Sequence, residues 1–275
     1  MRNIAILIGL SLIILSCEKD ELLVIDNQQL VVENTDIPLI IKELIGGETY
    51  KEYTYNDRNL LFEEKTRWYY TSHTYSDNNL LIDSDFYVDI SIVSSNSRVL
   101  EEAMSREEWV NPDNTEKSLT QTFEYNDDGQ LARKIYTRPS VSNSEYNEYS
   151  YENYRISRQT MYWQNELSNY IDYEYDENGN MIKESKYSVS SGGTAELLTT
   201  TEYEFDNMHN PFQSFKRLLT PGINTNPNNI LKRIYTIHFE VDESIEKVQI
   251  REYSYEYNTE GYPVKVNDEV EYVYK

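Results

Sequence analysis

Residues 173–187 have the sequence YEYDENGNMIKESKY, which is the pattern of a β-hairpin. Tyr173 and Tyr175 stand two positions apart, so both rings lie on one face of a strand. Asp176 can hydrogen-bond its own backbone two residues on, and Gly179 adopts a positive φ angle without steric strain. The remaining residues return as a second strand in which polar and apolar side chains are mixed. We therefore predict an antiparallel hairpin here.

The same pattern recurs along the chain. Its turn glycine is found again at Gly129 and Gly261, and Asn79, a residue type that tolerates the left-handed conformation, takes this place in another copy. Besides the copy at Tyr173, the copies begin at Tyr53, His73, Phe123, Tyr149, Tyr203 and Tyr255. Repetition of this kind indicates one supersecondary unit used many times. We predict an all-β fold for residues 36–275, in which successive antiparallel β-hairpins form a curled or open repeat sheet.

Three segments between the copies do not follow the motif. Residues 139–144 and 223–229 are rich in Pro, Ser and Asn and are predicted to be loops. Residues 100–109, LEEAMSREEW, have helix propensity but lie where a returning strand is expected, so helix and strand both stay open.

The full copies follow Tyr-x-Tyr-(Asp/Asn)-x-x-Gly-x-(Leu/Met) and resemble the YD repeats of the RHS family. Residues 123–131 and 173–181 match well, and the resemblance extends from residue 53 to residue 262. It implies that each repeat is a hairpin and that successive hairpins build one long antiparallel sheet that curls into a spiral or shell. The resemblance implies an architecture and no particular activity.

The N-terminal residues predict a lipid anchor. Residues 1–16 combine one Arg, a short apolar run and a small final residue, as in a secretory signal peptide. Cys17 is the only cysteine, so no intramolecular disulfide can form. The Leu-Ser before it resembles the bacterial lipobox, which implies that Cys17 is acylated and begins the mature chain. An ordinary signal peptide or an N-terminal anchor helix is the alternative. Residues 17–35 are expected to form a lipidated acidic tether.

Charge and the tether sequence bear on location and partners. Residues 18–21, EKDE, resemble the export signal of Bacteroidota-type surface lipoproteins, which implies an outer-membrane lipoprotein facing the cell exterior. A solvated charged tether is the alternative. The formal net charge of −23 repels nucleic-acid phosphates, so we expect no nucleic-acid partner. Membrane contact is expected through the N-terminal lipid.

Catalytic motifs are absent from the sequence. His73, His209 and His238 are scattered, and no zinc-protease, nucleophile-elbow or phosphate-loop pattern occurs. The oxygen-rich turns at 126–129 and 176–179 could hold Ca²⁺, but they lack a closing bidentate Glu, and turn formation already accounts for their residues. We expect a protein that is not an enzyme and uses no metal or cofactor.

Aromatic residues supply the candidate binding site. The chain has 26 Tyr, 7 Phe and 3 Trp, which is more rings than one core can hide. Trp68, Tyr69 and Tyr70 form a candidate patch for stacking neutral glycans, with packing in the sheet as the alternative. We expect a non-enzymatic surface binding or structural module with a glycan or a surface protein as ligand. A glycan-binding accessory lipoprotein of an outer-membrane import system is the second hypothesis, and an extracellular polymer hydrolase is the third.

Replacing Cys17 with Ala tests the lipid anchor. Because acylation needs the cysteine thiol, we expect radiolabelled palmitate to mark the wild-type chain and not Cys17→Ala, and we expect the variant to escape signal-peptide processing. Ser16→Ala keeps a small residue before the cysteine and should be labelled like the wild type. Equal labelling of Cys17→Ala would contradict the lipobox interpretation.

Overall fold

A computed structural model describes the chain from residue 37 onward. The described residues are 37–90, 109–139, 141–218, 220–240, 242, 245 and 247–275, with the side chains of residues 216–218 excluded. The predicted signal peptide, Cys17 and the tether lie outside the described residues. So do residues 100–108 of the segment for which the sequence leaves helix and strand open.

The described chain is built of β-strands. The strands are β1 Ile40–Ile45, β2 Glu48–Tyr55, β3 Leu61–Lys65, β4 Tyr69–Tyr75, β5 Leu81–Asp89, β6 Thr115–Tyr125, β7 Leu131–Arg138, β8 Val141–Glu152, β9 Arg155–Trp163, β10 Glu166–Tyr175, β11 Met181–Val189, β12 Ala195–Phe205, β13 Ile230–Ile237, β14 Val248–Glu252, β15 Tyr255–Tyr257, β16 Pro263–Val266 and β17 Val270–Tyr274. The 3-10 helices Pro112–Asn114 and Pro211–Leu218 lie in longer connections. No helix in the described ranges is long and apolar enough to cross a membrane.

All strands belong to one antiparallel sheet whose order follows the chain. Each strand from β1 to β13 pairs with the next. Strands β15, β16 and β17 also pair in turn, and β17 pairs with β1. The sheet is open, because within the described residues no ladder joins its edge strands β14 and β15. Only Tyr253 and Ser254 separate these two edges along the chain, so the sheet must curl. The predicted all-β repeat sheet is confirmed.

The hairpin turns owe their shape to a side chain at the first position and a left-handed residue at the fourth. Asn126 Oδ1 accepts hydrogen bonds from the N–H groups of Asp128, at 3.1 Å, and Gln130, at 2.9 Å. Gly129 has φ +75° and donates its N–H to the Asn126 carbonyl at 2.9 Å. The residues at the fourth position in other copies are Gly179 with φ +94°, Gly261 with φ +82°, Asn59 with φ +54° and Asn79 with φ +63°.

A β-bulge follows each of these turns. Glu174 pairs with Lys183 while Tyr175 pairs with Met181, so the returning strand contains one extra residue. Side-chain alternation therefore shifts by one place, and Met181 and Glu184 face the same side of the sheet. This shift explains why the returning strands mix polar and apolar residues in sequence. The same shift occurs at Thr54/Tyr55, Thr74/Tyr75, Glu124/Tyr125, Ser150/Tyr151, Glu204/Phe205 and Glu256/Tyr257.

One face of the curled sheet, here called the inner face, carries the hydrophobic clusters. The larger cluster contains Leu81, Phe123, Leu131, Tyr149, Ile156, Tyr173 and Met181. The second cluster contains Ile40, Tyr53, Leu61, Phe212 and Phe215. Leu61, Leu81, Leu131 and Met181 each begin a returning strand and belong to these clusters, so the turn ends of these hairpins are buried.

The second aromatic residue of the motif binds backbone through its hydroxyl. Tyr125 donates to the Leu81 carbonyl at 2.8 Å. The β5–β6 ladder ends at the pair Asp83–Thr122. Leu81 lies on β5 two residues beyond that pair, so its carbonyl has no partner in the β6 ladder. The hydroxyl thus links the two strands where the backbone ladder has stopped. We call these bonds the tyrosine row; its other members are Tyr55 to Ile40 at 2.7 Å, Tyr75 to Leu61 at 2.8 Å, Tyr151 to Leu131 at 3.0 Å and Tyr175 to Ile156 at 2.9 Å.

The connection from β12 to β13, residues 206–229, departs from the repeat. Phe205 stands in the place of the row tyrosine and has no hydroxyl. In this region Asn226 Oδ1 accepts the N–H of Met181 at 2.8 Å, and Asn180 Nδ2 donates to Asn228 Oδ1 at 3.0 Å. The predicted polar loop 223–229 is therefore packed on the turn end of β11. Gln213 Nε2 donates to the Pro227 carbonyl at 2.7 Å, which ties the Pro211–Leu218 helix to this loop.

The second predicted loop, residues 139–144, is shorter than the sequence suggests. Strand β8 begins at Val141, which pairs with Arg138. Ser and Asn are weak strand formers, so composition pointed to a loop, but cross-strand pairing with β7 prevails here.

Replacing Tyr125 with Phe tests the tyrosine row. The ring stays in place while the buried Leu81 carbonyl loses its donor, so we expect the free energy of unfolding to fall by about 1–2 kcal/mol. Tyr154→Phe is the control, because Tyr154 is 73% exposed and should change stability by less than about 0.5 kcal/mol. Urea unfolding measures both. Equal stability of the two variants would show that the row is incidental.

Candidate functional site

The inner face of the curled sheet and residues 220–224 line a partly open cavity of about 330 Å³. Strands β1 to β7 supply most of its wall, and the 3-10 helix closes one side. Phe215 packs against Tyr53 with ring centroids 5.0 Å apart and against Phe212 at 5.5 Å. Ile223 also lines the space and is 52% exposed, so the cavity reaches solvent beside this residue. We call this space the inner cavity.

Lys134 on β7 lines the inner cavity as a buried cation. Only 9% of the residue is exposed, and in the described part of the chain its Nζ has no hydrogen-bond or ion-pair partner. The nearest aromatic contacts are the rings of Phe123 and Tyr136, with Nζ 6.0 Å and 5.3 Å from their centroids. Burial lowers the pKa of Lys134 to about 8. The bulge after Leu131 is what turns this lysine inward.

His73 and Thr71 lie two residues apart on the inner face of β4. The His73 ring Nδ1 is 2.8 Å from Ser84 Oγ, and burial lowers the pKa of His73 to about 4. The ring is therefore neutral at ordinary pH. Its Nε2 and the Thr71 Oγ1 are both buried, and neither has a hydrogen-bond partner. Both residues line the inner cavity.

The opposite end of the cavity is acidic. Tyr53 donates its hydroxyl to Glu43 Oε1, and Lys51 Nζ lies 3.9 Å from Glu64 Oε2. Burial raises the pKa of Glu64, and Lys51 opposes this shift. Burial acts to lower the pKa of Lys51, but the nearby carboxylates outweigh it and the pKa is raised. These four side chains satisfy one another.

The predicted aromatic patch is divided between the two faces of the sheet. Tyr69 faces inward near Lys51 and Glu64, and its pKa is raised by burial and then by Glu64. Trp68 contacts it edge-on, with centroids 4.5 Å apart, and the buried indole Nε1 has no partner. Tyr70 lies on the outer face and stacks on Tyr87 at 4.5 Å. Trp68 and Tyr69 are therefore together, and Tyr70 is separate.

Tyr70 belongs to a series of cross-strand tyrosine pairs on the outer face. Each pair is stacked, and a cation lies over one of its rings, itself bound to a carboxylate. The groups are Tyr70–Tyr87 with Lys117 and Asp85, Tyr146–Tyr162 with Arg133 and Glu148, and Tyr170–Tyr187 with Arg158 and Asp172. Because these rings cover each other's faces, they stabilise the sheet more than they offer stacking surface.

The other positions considered from the sequence are the three histidines and the oxygen-rich turns, and all of them lie within the described ranges. The histidines are not brought together: His209 stacks on Tyr262 with centroids 4.8 Å apart, and His238 Nε2 lies 3.0 Å from Thr200 Oγ1. The described residues contain no group of three or more His, Cys, Asp or Glu placed to hold a metal ion. In the turn considered for Ca²⁺, Asp176 Oδ1 accepts the N–H of Asn180 at 2.8 Å.

Comparisons with known proteins give only distant similarities. No family model matches the chain, and no curated protein matches its sequence. A porin-like protein from Bacteroides uniformis is 12% identical with a TM-score of 0.42, covering 82% of this chain and 95% of that chain. A porin-like protein from Bacteroides vulgatus is 10% identical with a TM-score of 0.37, covering 86% and 99%. A chain in the crystal structure of TcdB2-TccC3-Cdc42 is 12% identical with a TM-score of 0.18, and the match covers 77% of this chain and 13% of that chain. Scores at this level establish no shared function.

Sequence patterns did not point to Lys134 or Thr71, and they explained His73 as a motif position. Lys134 follows the bulge, so simple alternation from Leu131 places its side chain on the outer face. A bulge-corrected count would have placed Lys134 and Phe123 on the same face. That count is the signal that could have found the site.

Replacing Lys134 with Met tests the buried, unpaired charge. The pKa of Lys134 is lowered in the folded chain, so its destabilising effect is complete below pH 8 and disappears as the pH rises toward the unfolded-state pKa near 10.4. We expect Lys134→Met to raise the free energy of unfolding at pH 7 by on the order of 2–3 kcal/mol, with a smaller gain at pH 10.

Lys117→Met is the matched control for this measurement. Lys117 Nζ lies 2.7 Å from Asp85 Oδ2, and its pKa is raised by this hydrogen bond. Its loss should therefore leave stability unchanged or lower it slightly. Destabilisation by Lys134→Met at both pH values would show that the ammonium is satisfied in the folded chain.

Proposed function

We propose that this protein is a non-enzymatic binding module of the cell envelope and that the inner cavity is its ligand site. The observation that carries the proposal is the convergence of Lys134, His73 and Thr71 on one cavity. His73 Nε2 and Thr71 Oγ1 are buried without a partner, and no hydrogen bond or ion pair reaches Lys134 Nζ from the described residues. Buried polar groups in folded proteins are nearly always hydrogen-bonded. A ligand that supplies the missing partners explains why these groups are kept.

The energetic argument supports the same conclusion. Each buried polar group without a partner costs about 1–3 kcal/mol, and more when it is charged. Apolar residues at positions 71 and 134 would remove that cost at those two positions. A bound ligand regains it on binding, and a cavity of about 330 Å³ lies within the size range of small-molecule sites.

The proposed envelope location is supported by the N-terminal sequence. A signal-like segment, Cys17 in a lipobox-like context and the charged residues 18–21 together favour an outer-membrane lipoprotein facing the exterior. A tether of this length leaves the sheet domain free of the bilayer, and the net charge of −23 keeps it away from anionic headgroups.

A glycan-binding accessory role in import is the second candidate, and the wall of the cavity favours it. The rings of Phe123, Phe212 and Phe215 stand beside hydroxyl, imidazole and amide groups. Sugars present apolar C–H faces to aromatic rings and hydroxyl groups to polar side chains. Tyr69 lies near the acidic end of the cavity and contacts Trp68, so this pair would extend the same site.

The hydrolase hypothesis requires two available carboxyl groups in the cavity. Glu43 accepts the hydroxyl of Tyr53, and Glu64 lies beside Lys51. Because both carboxyl groups already have partners, the contacts favour binding over hydrolysis.

Ligand-observed NMR on the full chain in detergent tests the proposed site. The probes are neutral monosaccharides, sugar acids and free amino acids at millimolar concentration. We expect at least one probe to bind and Thr71→Val to weaken it about tenfold, because the variant removes one ligand hydrogen bond. Val suits a strand, and Thr71 Oγ1 has no partner to lose, so the free protein should fold normally.

Thr74→Val is the matched control, since Thr74 lies on the exposed outer face of the same strand. It should bind every probe like the wild type. Failure of all probes to bind, or equal weakening by both variants, would refute the inner cavity as the ligand site. Release of cleaved sugar from an oligosaccharide probe would favour the hydrolase hypothesis instead.

A further inference from the structure

The unpaired ammonium of Lys134 indicates which ligand the inner cavity selects. We propose that the cavity takes a carboxylate-bearing sugar of monosaccharide size, a uronic acid, with its carboxylate on Lys134 and its hydroxyl groups on His73 and Thr71. The proposal rests on the function proposed above, because it names the ligand class of the same site. Four observations support it: charge balance, neutral polar groups, ring surfaces and size.

Charge balance at Lys134 calls for an anionic group on the ligand. Glu64 lies beside Lys51, and Glu43 accepts the hydroxyl of Tyr53. No carboxylate among the described residues pairs with Lys134, so a ligand carboxylate can bind it through a charge-assisted hydrogen bond. A phosphate ester carries about two negative charges at pH 7 and would place the second one near two glutamates. A monoanion therefore fits better than a phosphate.

The remaining unpartnered groups suit hydroxyls. His73 is neutral, and its Nδ1 lies against Ser84 Oγ, so its Nε2 can donate or accept according to the tautomer. Thr71 Oγ1 can likewise donate and accept. A sugar hydroxyl both donates and accepts, so it can pair with either group. An amino-acid ammonium only donates, and the carboxylates that would receive it are already engaged.

Ring surfaces and size favour a single pyranose. Phe123, Phe212 and Phe215 line the cavity as largely buried side chains and make part of its wall apolar, which suits the C–H face of a sugar ring. A cavity of about 330 Å³ lies at the lower end of the range for small-molecule sites, which suits one sugar ring better than an extended chain. The exposed Ile223 marks where such a ligand enters.

Matched sugar pairs test the proposal on the full chain in detergent. Calorimetry compares glucuronate with glucose, and galacturonate with galactose, on the wild type and on Lys134→Met. We expect the acid of each pair to bind the wild type at least about tenfold more tightly, as for a hydrogen bond to a charged group. Lys134→Met should remove that preference, while Thr71→Val should weaken acid and neutral sugar by the same factor.

The pH dependence provides a readout that a structural role would not change. The wild-type affinity for the acids should fall as the pH rises through about 8, where Lys134 loses its proton, while neutral sugars bind equally. Gln121 and Phe123 of β6 and Asn147 of β8 flank Lys134 and do not titrate. Across the cavity, the pKa values of Lys51 and Tyr53 are raised, the pKa of His73 is lowered to about 4, and burial raises the pKa of Glu64. Glu43 is the other charged group there, and beside Lys134 burial raises the pKa of Tyr136 to about 12.

Each remaining outcome is decisive. Equal affinity for acid and neutral sugars in the wild type would overturn the carboxylate assignment while the cavity kept its binding role. A preference for the acids that survives in Lys134→Met would overturn the role of Lys134. Amino acids that bind where uronates do not would overturn the sugar assignment. If no probe in either experiment binds, the proposed function itself fails.

Discussion

The hydrogen bond from the second motif tyrosine to the carbonyl at the start of the preceding strand is the interaction on which the fold depends. Ladders between successive hairpins stop two residues short of the turn end, as between β5 and β6, and the Tyr125 hydroxyl closes that gap. Each such bond contributes about 1 kcal/mol net, and repetition makes the sum large. Burial raises the pKa of Tyr125 and Tyr151, so both hydroxyls remain protonated donors. Phenylalanine cannot supply this bond, so the five positions of the tyrosine row require tyrosine.

Local sequence patterns predict the hairpins but not their consequences across the sheet. The Asn126–Gly129 turn and the left-handed Asn79 follow from residue chemistry within five positions. The pairing of β1 with β17 joins the two ends of the described chain, and no local pattern encodes a contact so distant in sequence. The bulges are likewise hidden, because a bulge changes which face a side chain occupies without changing the residue types. Lys134 was missed for this reason.

The inner cavity forms at the connection between β12 and β13, where the hairpin repeat is interrupted. Phe205 lacks the hydroxyl that would continue the tyrosine row, and the turn that should follow is replaced by residues 206–229. Asparagine side chains such as Asn226 take over the bonding of the strand ends. This connection brings Phe212 and Phe215 against the inner face, where they cover polar side chains that a regular repeat would leave open to solvent. Departures from local sequence–structure consistency are expected at functional sites, and this interruption of the repeat creates the inner cavity.

Lys117 and Lys134 lie on the adjacent strands β6 and β7, and their surroundings shift their pKa values in opposite directions. Lys117 is on the outer face, paired with Asp85, and its pKa is raised. Lys134 is on the inner face without a carboxylate among the described residues, and its pKa is lowered. The chain has 48 acidic residues, so a nearby partner for Lys134 was easy to supply. A lysine serving only the fold would gain stability from such a partner, whereas a lysine that receives a carboxylate from solution must be kept without one.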